Sequence, residues 1–321
     1  MGVEFGLAVE NFTSASSSPD IDRMVAYAVR GEQLGFRSLW AWDHLFLGSR
    51  KPFPCLEALT ALTALAGHTR EMTLGTGVLV LPLRDPALFA KTAATLHHVS
   101  HGRLSLGVAA GWYEREFAAT GTPYAGRGKR FERNLEIVYR LWGEDEVNGE
   151  WDDLSFRRVR MLPRPEPRPQ VLIGGYVDRV LRRVATLGDG WLTYFYPAEA
   201  FTKSWAKIRA FAEEAGRDPA ELTNVAQLPF CVDESYEAAD RKCGPWLADH
   251  FDSPEWSSAT PESAIRGTPE QCAEQLAAHI EAGVEHIVLV PYGYDVEQIE
   301  RFAAEVRPLL ETVPAGVGGT A

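Results

Sequence analysis

A closed (β/α)8 TIM barrel with insertions is the fold class predicted by this sequence of 321 residues. Three observations predict it. Short apolar runs alternate with amphipathic segments about eight times, the pattern of a parallel sheet covered by helices. The runs are continuously apolar, so both faces of each strand are buried. The length exceeds the roughly 250 residues of a plain barrel, which leaves room for insertions. An open doubly wound sheet is the structural alternative.

The elements follow in order. Val3 to Val9 is a short apolar strand, and a Ser-rich turn, Thr13 to Ser18, follows it. Pro19 and Asp20 open a helix whose apolar face carries Met24, Val25, Ala28 and Val29, and Gly35 ends it. Ser38-Leu39-Trp40-Ala41-Trp42 is a buried strand running into Asp43-His44. Leu56 to Ala66 is a helix, Met72 to Leu81 a strand containing two glycines, and Pro86 to His97 a helix. Leu104 to Ala109 is the fourth strand, and Arg130 to Leu141 the helix after it. Val171-Leu172-Ile173 is the fifth strand, closed by Gly174-Gly175, and a helix over Val177 to Leu187 follows. The last strands are Trp191 to Tyr194, Val225 to Val232 and His286 to Val290. Their helices are Ala198 to Ala215, Pro269 to Ala282 and Val296 to Leu310.

Two stretches break this rhythm. Glu144 to Pro169 is polar and Pro-rich with space for a hairpin, and Cys243 to Gly267 reads as irregular. Long insertions in compact domains serve as lids, binding loops or interfaces. The domain expectation is one barrel over residues 1–313, with insertions near 144–169 and 243–267 and a flexible tail over 314–321.

Composition narrows the function classes. The chain is 45% hydrophobic and 24% charged, as globular domains are, with a net charge of −12. That charge repels a phosphate backbone or an anionic bilayer, so neither nucleic acid nor membrane is expected as a partner. Cys55, Cys231, Cys243 and Cys272 are scattered without C-x-x-C spacing, which points to reduced thiols and no metal site. No secretory leader pattern opens the sequence, and the expected location is cytoplasmic.

In a barrel, the active site lies at the C-terminal ends of the strands. After the second strand stand Asp43 and His44, and a histidine there can polarise a ligand carbonyl or move a proton near neutral pH. Gly75 and Gly77 weaken the interior of the third strand, which marks close approach either of a ligand or of a packed neighbour. Ile173-Gly174-Gly175 enters a helix directly, and the free N–H groups there suit a phosphate, although the full G-x-G-x-x-G spacing is missing. Gly111, Trp112 and Tyr113 follow the fourth strand, Tyr176 the fifth, and Arg127, Lys129 and Arg130 form a basic cluster. The first strand has no H-x-H, and the chain has neither a P-loop nor a G-x-S-x-G elbow.

These segments together resemble the bacterial luciferase-like monooxygenase superfamily, and within it the F420-dependent oxidoreductase branch. The resemblance runs through Glu32 to Trp40 with Asp43-His44, Leu74 to Pro82, Asp85-Pro86 and Ser100 to Arg103. It continues through Gly107 to Trp112 with Glu116-Phe117, Ile173 to Gly175, Gly188 to Trp191 and Gly267 to Glu270. It implies a (β/α)8 barrel, a homodimer, and a ring bound at the strand ends for redox work on a small-molecule substrate. It implies a bulge with a non-prolyl cis peptide at Gly77–Val78 behind that ring. Asp43 and His44 would contact the ring's polar edge, and Gly174 and Gly175 the cofactor phosphate.

The cofactor-binding set is therefore Asp43, His44, Gly77, Val78, Leu79, Gly111, Trp112, Gly174, Gly175 and Tyr176, with His44 catalytic and Trp42 and Tyr113 toward substrate. The proton-donating acid of the sugar-phosphate dehydrogenase members falls at Trp112, and the cations that hold their sugar phosphate have no counterpart. The implied activity is F420-dependent hydride transfer to or from a small organic substrate. The alternatives are an FMNH2-dependent two-component monooxygenase, served by a separate flavin reductase, and a non-catalytic flavin-binding relative. A separate F420 reductase would be the corresponding partner for the first activity.

Overall fold

A computed structural model describes residues 2–13, 17–48, 53–151, 153–251 and 263–311. The first half of the barrel is β1 (Glu4–Ala8), α1 (Ile21–Gln33), β2 (Ser38–Ala41), α2 (Ala58–Ala66), β3 (Thr73–Val80), α3 (Pro86–Val99) and β4 (Leu104–Ala109). Two helices, α4 (Glu114–Ala119) and α5 (Arg127–Gly143), precede a hairpin of β5 (Val147–Trp151) and β6 (Leu154–Val159). The second half is β7 (Gln170–Gly174), α6 (Asp178–Leu187), β8 (Gly190–Tyr194), α7 (Ala198–Glu214), β9 (Thr223–Val232) and α8 (Tyr236–His250). It ends with β10 (Ile265–Gly267), α9 (Pro269–Glu281), β11 (His286–Pro291), α10 (Val296–Arg301) and α11 (Arg307–Glu311).

Eight parallel strands close into a (β/α)8 barrel in the order β1, β2, β3, β4, β7, β8, β9, β11. β10 lies beside the C-terminal end of β9, with Ile265 opposite Phe230. The helices begin where the sequence supplies caps. Asp20 accepts from the amides of Asp22 and Arg23 at the start of α1, and Thr268 and Gln271 form a capping box at α9.

One apolar core lies between sheet and helices, and a second fills the barrel and covers part of its top. The floor is sealed by Trp40, whose indole N–H donates to Ser38 Oγ at 2.7 Å. Ser38 Oγ also meets His286 Nε2 at 2.7 Å. Burial pushes His286 down to about 4, so this ring is neutral at physiological pH.

Several elements differ from expectation. The stretch from Cys243, read as irregular, continues as helix to His250 with Pro245 inside it. Its buried residues Ala239, Cys243, Leu247 and His250 recur at helical spacing, and that apolar face outweighs the proline. The rest of this insertion falls partly on residues 252–262, and the tail 314–321 falls wholly, outside the described residues. The final helix is broken by a wider π turn over Phe302–Val306. α4, placed between β4 and α5, was not anticipated from the sequence.

Gly75 answers to packing. A Cβ there would enter the indole of Trp40 on the neighbouring strand. Gly75→Ala should therefore lower unfolding stability by about 1–3 kcal/mol, measured by urea denaturation. An unchanged midpoint would mean that Trp40 is free to move.

Candidate active site

The C-terminal ends of β2, β3, β4, β7 and β8, consecutive around the barrel, border a cavity of about 610 Å³. Beside it lies an aromatic cluster in which Trp42 and Phe251 each pack against Phe12 and Phe195. The cavity is thus displaced to one side of the barrel mouth.

At the end of β2, Asn11 clamps Trp42. The Trp42 amide donates to Asn11 Oδ1 at 2.8 Å, and Asn11 Nδ2 donates to the Trp42 carbonyl at 2.8 Å. Asp43 borders the cavity, but both its carboxylate oxygens are engaged by protein. Oδ1 accepts from Arg84 Nη2 at 2.7 Å and Oδ2 from the Val80 amide at 2.9 Å. This residue ties the end of β2 to the end of β3.

His44 reaches the cavity with Nδ1 turned to Glu116, 3.3 and 3.2 Å from its two carboxylate oxygens. Glu116 Oε1 also accepts the amides of Leu45 at 2.6 Å and Phe46 at 3.0 Å. Burial alone would raise the Glu116 pKa. The His44 hydrogen bond and charge, with the Phe46 and Leu45 amides, outweigh it and hold the carboxyl below its ordinary range. An ionised carboxylate only accepts, so Nδ1 carries the proton and Nε2 is left for the cavity.

The Gly77–Val78 peptide is cis, and the β3–β4 register shifts between Thr76 and Leu79. Gln227, from across the barrel, donates to the Gly77 carbonyl at 3.1 Å. Val78 faces the cavity, and a Cβ on Gly174 would lie 2.8 Å from its Cγ1, so this wall requires glycine. Leu79 points the other way, into the core beneath the helices, and does not line the cavity.

Beyond β4, Gly111 and Trp112 line the cavity, and the Trp112 ring meets His44 edge-on at 5.7 Å. Tyr113 is buried behind Trp112 and does not line it. Beyond β7, Gly174, Gly175 and Tyr176 line it. Gly175 has φ 135°, outside the range that suits a side chain. The Tyr176 hydroxyl is spent on Tyr194, donating to its carbonyl at 2.8 Å and accepting its amide at 2.9 Å.

α5 and α6 both start at this cavity, and neither N-terminus has a side-chain cap. Their free amides and dipoles favour an anion. Arg127, Lys129, Arg179 and Arg183 stand beside them. Arg127 is held by the Gly111 carbonyl at 2.9 Å and by the face of Tyr124, and Arg183 by Glu132 at 2.6 Å. Among the described residues, Lys129 and Arg179 have no acidic partner. A second groove of about 690 Å³, between α5 and α6, shares Lys129, Arg179 and Arg183 with the cavity. Lys129, Arg133, Arg179, Arg182 and Arg183 line this groove with Glu132 and Glu136; Arg133 pairs with Asp153, Arg182 with Glu214 and Arg183 with Glu132.

The structure thus gathers Trp42, Asp43, His44, Gly77, Val78, Gly111, Trp112, Gly174, Gly175 and Tyr176 at one cavity and leaves Leu79 and Tyr113 outside it. Of the basic cluster, Arg127 and Lys129 arrive, whereas Arg130 bonds the Pro123 carbonyl at 2.7 Å. Sequence reasoning missed Glu116 as a partner of His44, and missed Arg179, Arg183 and Tyr194. An acid in the first turn of a short helix just after a strand end was the signal for Glu116. Among the described residues, no cluster of three metal-ligating side chains occurs, and no helix is long and apolar enough to cross a membrane.

A family model described as luciferase-like monooxygenase matches residues 3–286. An F420-dependent glucose-6-phosphate dehydrogenase of Amycolatopsis mediterranei is 25% identical over 90% of this chain and 95% of its own. An FMNH2-dependent dimethylsulfone monooxygenase of Pseudomonas putida is 26% identical over 79% of this chain and 78% of its own. Among solved structures, an F420-dependent secondary alcohol dehydrogenase bound to an F420–acetone adduct superposes with a TM-score of 0.84. Its sequence identity is 19%, and the match covers 97% of this chain and 99% of the other. These relatives are redox enzymes that use a deazaflavin or a flavin.

Glu116 titrates lower when folded than its ordinary value of 4.5, so its stabilisation is complete above that pH and is lost as pH falls through the lowered value. Glu116→Gln should cost roughly 1.5–3 kcal/mol near neutral pH, the scale of hydrogen bonds to a charged group. The deficit against the parent should shrink in acid. Urea denaturation of both proteins on either side of that pH tests this, and a pH-independent deficit would contradict it.

Proposed function

This chain belongs to the luciferase-like monooxygenase family, and from that premise we propose that it is an F420-dependent oxidoreductase acting on a small organic substrate. When bound, the deazaflavin supplies a carbon that accepts or gives a hydride. The chain's own residues supply binding, orientation and proton management.

The observation that carries this reading is the groove. FMN ends in a single phosphate, which the amides at Gly174 and Gly175 and the starts of α5 and α6 could satisfy alone. F420 continues past its phosphate into a chain of carboxylates. In a protein of net charge −12, a cation-rich groove that shares Lys129, Arg179 and Arg183 with the cavity complements such a tail. The fit extends to the ring end, where Val78 offers an apolar surface between Gly174 and Trp112.

His44 is the proton-handling residue. Its Nδ1 is fixed by Glu116, and its Nε2 can accept a proton from a substrate hydroxyl or, once protonated, return one to a carbonyl oxygen. Glu116 is a positioning residue, and so is Asp43, which holds Val80 and Arg84. Trp42 and Trp112 wall the reacting region from water. A built proton-transfer pair favours an enzyme over a non-catalytic flavin binder. A cytoplasmic homodimer served by a separate F420 reductase completes the proposal.

Titration of the protein with F420 and with FMN, followed by tryptophan fluorescence, tests the reading. F420 should bind more tightly. Arg133→Ala with Arg182→Ala, both in the groove and outside the cavity, should weaken F420 about three- to tenfold at low salt and leave FMN unchanged. Tighter FMN binding, unaffected by these changes, would move the protein to the FMNH2-dependent monooxygenases.

A further inference from the structure

The cavity has two chemically different sides. One is cationic and lies between β4 and β7, where α5 and α6 begin. The other is aromatic. Trp42 packs against Phe195 at 6.0 Å between ring centres, and Phe195 packs against Tyr194 at 5.9 Å. His44 and Trp112, in contact at 5.7 Å, stand between the two sides. The cation next to Trp112 in the fold is Arg127, which is already held by the Gly111 carbonyl and by Tyr124.

Two tyrosines line this cavity, and they differ in what their hydroxyls do. Tyr176 spends its hydroxyl on the backbone of Tyr194 through two hydrogen bonds, which fixes the end of β8. The following residue, Phe195, adopts a left-handed φ of 50° while its amide donates to the Gln227 carbonyl at 2.8 Å. The strand end is therefore set by local bonds on both sides of Tyr194. The Tyr194 hydroxyl has no hydrogen-bond partner among the described residues. Burial raises its pKa, so it stays a neutral donor.

We infer that Tyr194 is a substrate-binding residue that works with His44, and that the aromatic side of the cavity takes an uncharged hydroxyl or carbonyl compound with an apolar, preferably aromatic, body. The inference deepens the oxidoreductase reading above and rests on it. His44 handles the proton on the substrate oxygen, and Tyr194 donates a hydrogen bond to it. A carboxylate or phosphate on this side would lose its water and meet no free cation, a desolvation cost without compensation. A neutral ketone or alcohol loses little on entry and regains its hydrogen bonds.

The test uses the cofactor-loaded protein, with F420 or, if FMN proves the tighter ligand, with FMN. Calorimetric titration compares acetophenone, ethylbenzene, benzoate and phenyl phosphate on the parent and on Tyr194→Phe. Acetophenone should bind at least about tenfold more tightly than either anion. Tyr194→Phe should weaken acetophenone about three- to tenfold, the range of one neutral hydrogen bond. It should barely affect ethylbenzene, which has no oxygen, and should leave cofactor affinity intact, which reports on folding. Preference for an anion, no binding of the neutral probes, or equal acetophenone affinity in the variant would overturn the inference. Failure of F420 to bind the parent would instead remove the cofactor reading, and the comparison of neutral with charged probes would still stand on the FMN-loaded protein.

Discussion

One buried carboxylate, that of Glu116, joins two separate parts of the barrel mouth. It sits on α4, beyond β4, yet it takes the amides of Leu45 and Phe46 and Nδ1 of His44 from the loop after β2. With 1% of its side chain exposed, it has no solvent to fall back on. A buried charge must be compensated by hydrogen bonds, and here the same bonds orient the histidine and assign its proton. Asp43 does comparable work one residue earlier, joining β2 to β3 through Val80 and Arg84. Consecutive residues thus serve different ends: Asp43 fixes the wall, and His44 faces the cavity.

Charge is distributed to match. The chain as a whole is acidic, yet the starts of α5 and α6 and the groove between them collect six cationic side chains, of which Lys129 and Arg179 have no acidic partner among the described residues. Cations left without acidic partners near two uncapped helix starts form a strong local field inside a repulsive envelope. The opposite side of the cavity is nearly free of charge and rich in aromatic rings. An anionic, ring-bearing cofactor and a neutral substrate can each find one side, with Val78 and His44 between them.

Much of this was legible in the sequence. The strand–helix alternation is dictated by burial on both sheet faces, and ten of the twelve named site residues reach the cavity because barrel strand ends converge. What escaped notice depends on tertiary placement. Leu79 follows Val78 in the same segment, but at the register shift on β3 its side chain packs into the helix-facing core while Val78 lines the cavity. Tyr113 is screened by its neighbour Trp112. That Arg84, 41 residues on, takes the charge of Asp43 carries no sequence signal. Proline hid α8, whose apolar face at 239, 243, 247 and 250 was the stronger signal. Arg179 and Arg183 stand on the cavity side of a helix whose exposed face is also charged, so charge alone could not single them out.

A crystal structure of the protein with F420 bound tests the central claim, a cavity divided between an anion-receiving side and a neutral aromatic side. The account predicts the ring against Val78, the phosphate at Gly174 and Gly175, the glutamyl tail in the groove between α5 and α6, and open space beside Trp42 and Tyr194. A phosphate bound elsewhere, or a cofactor filling the aromatic side with its tail away from Lys129 and Arg179, would contradict it.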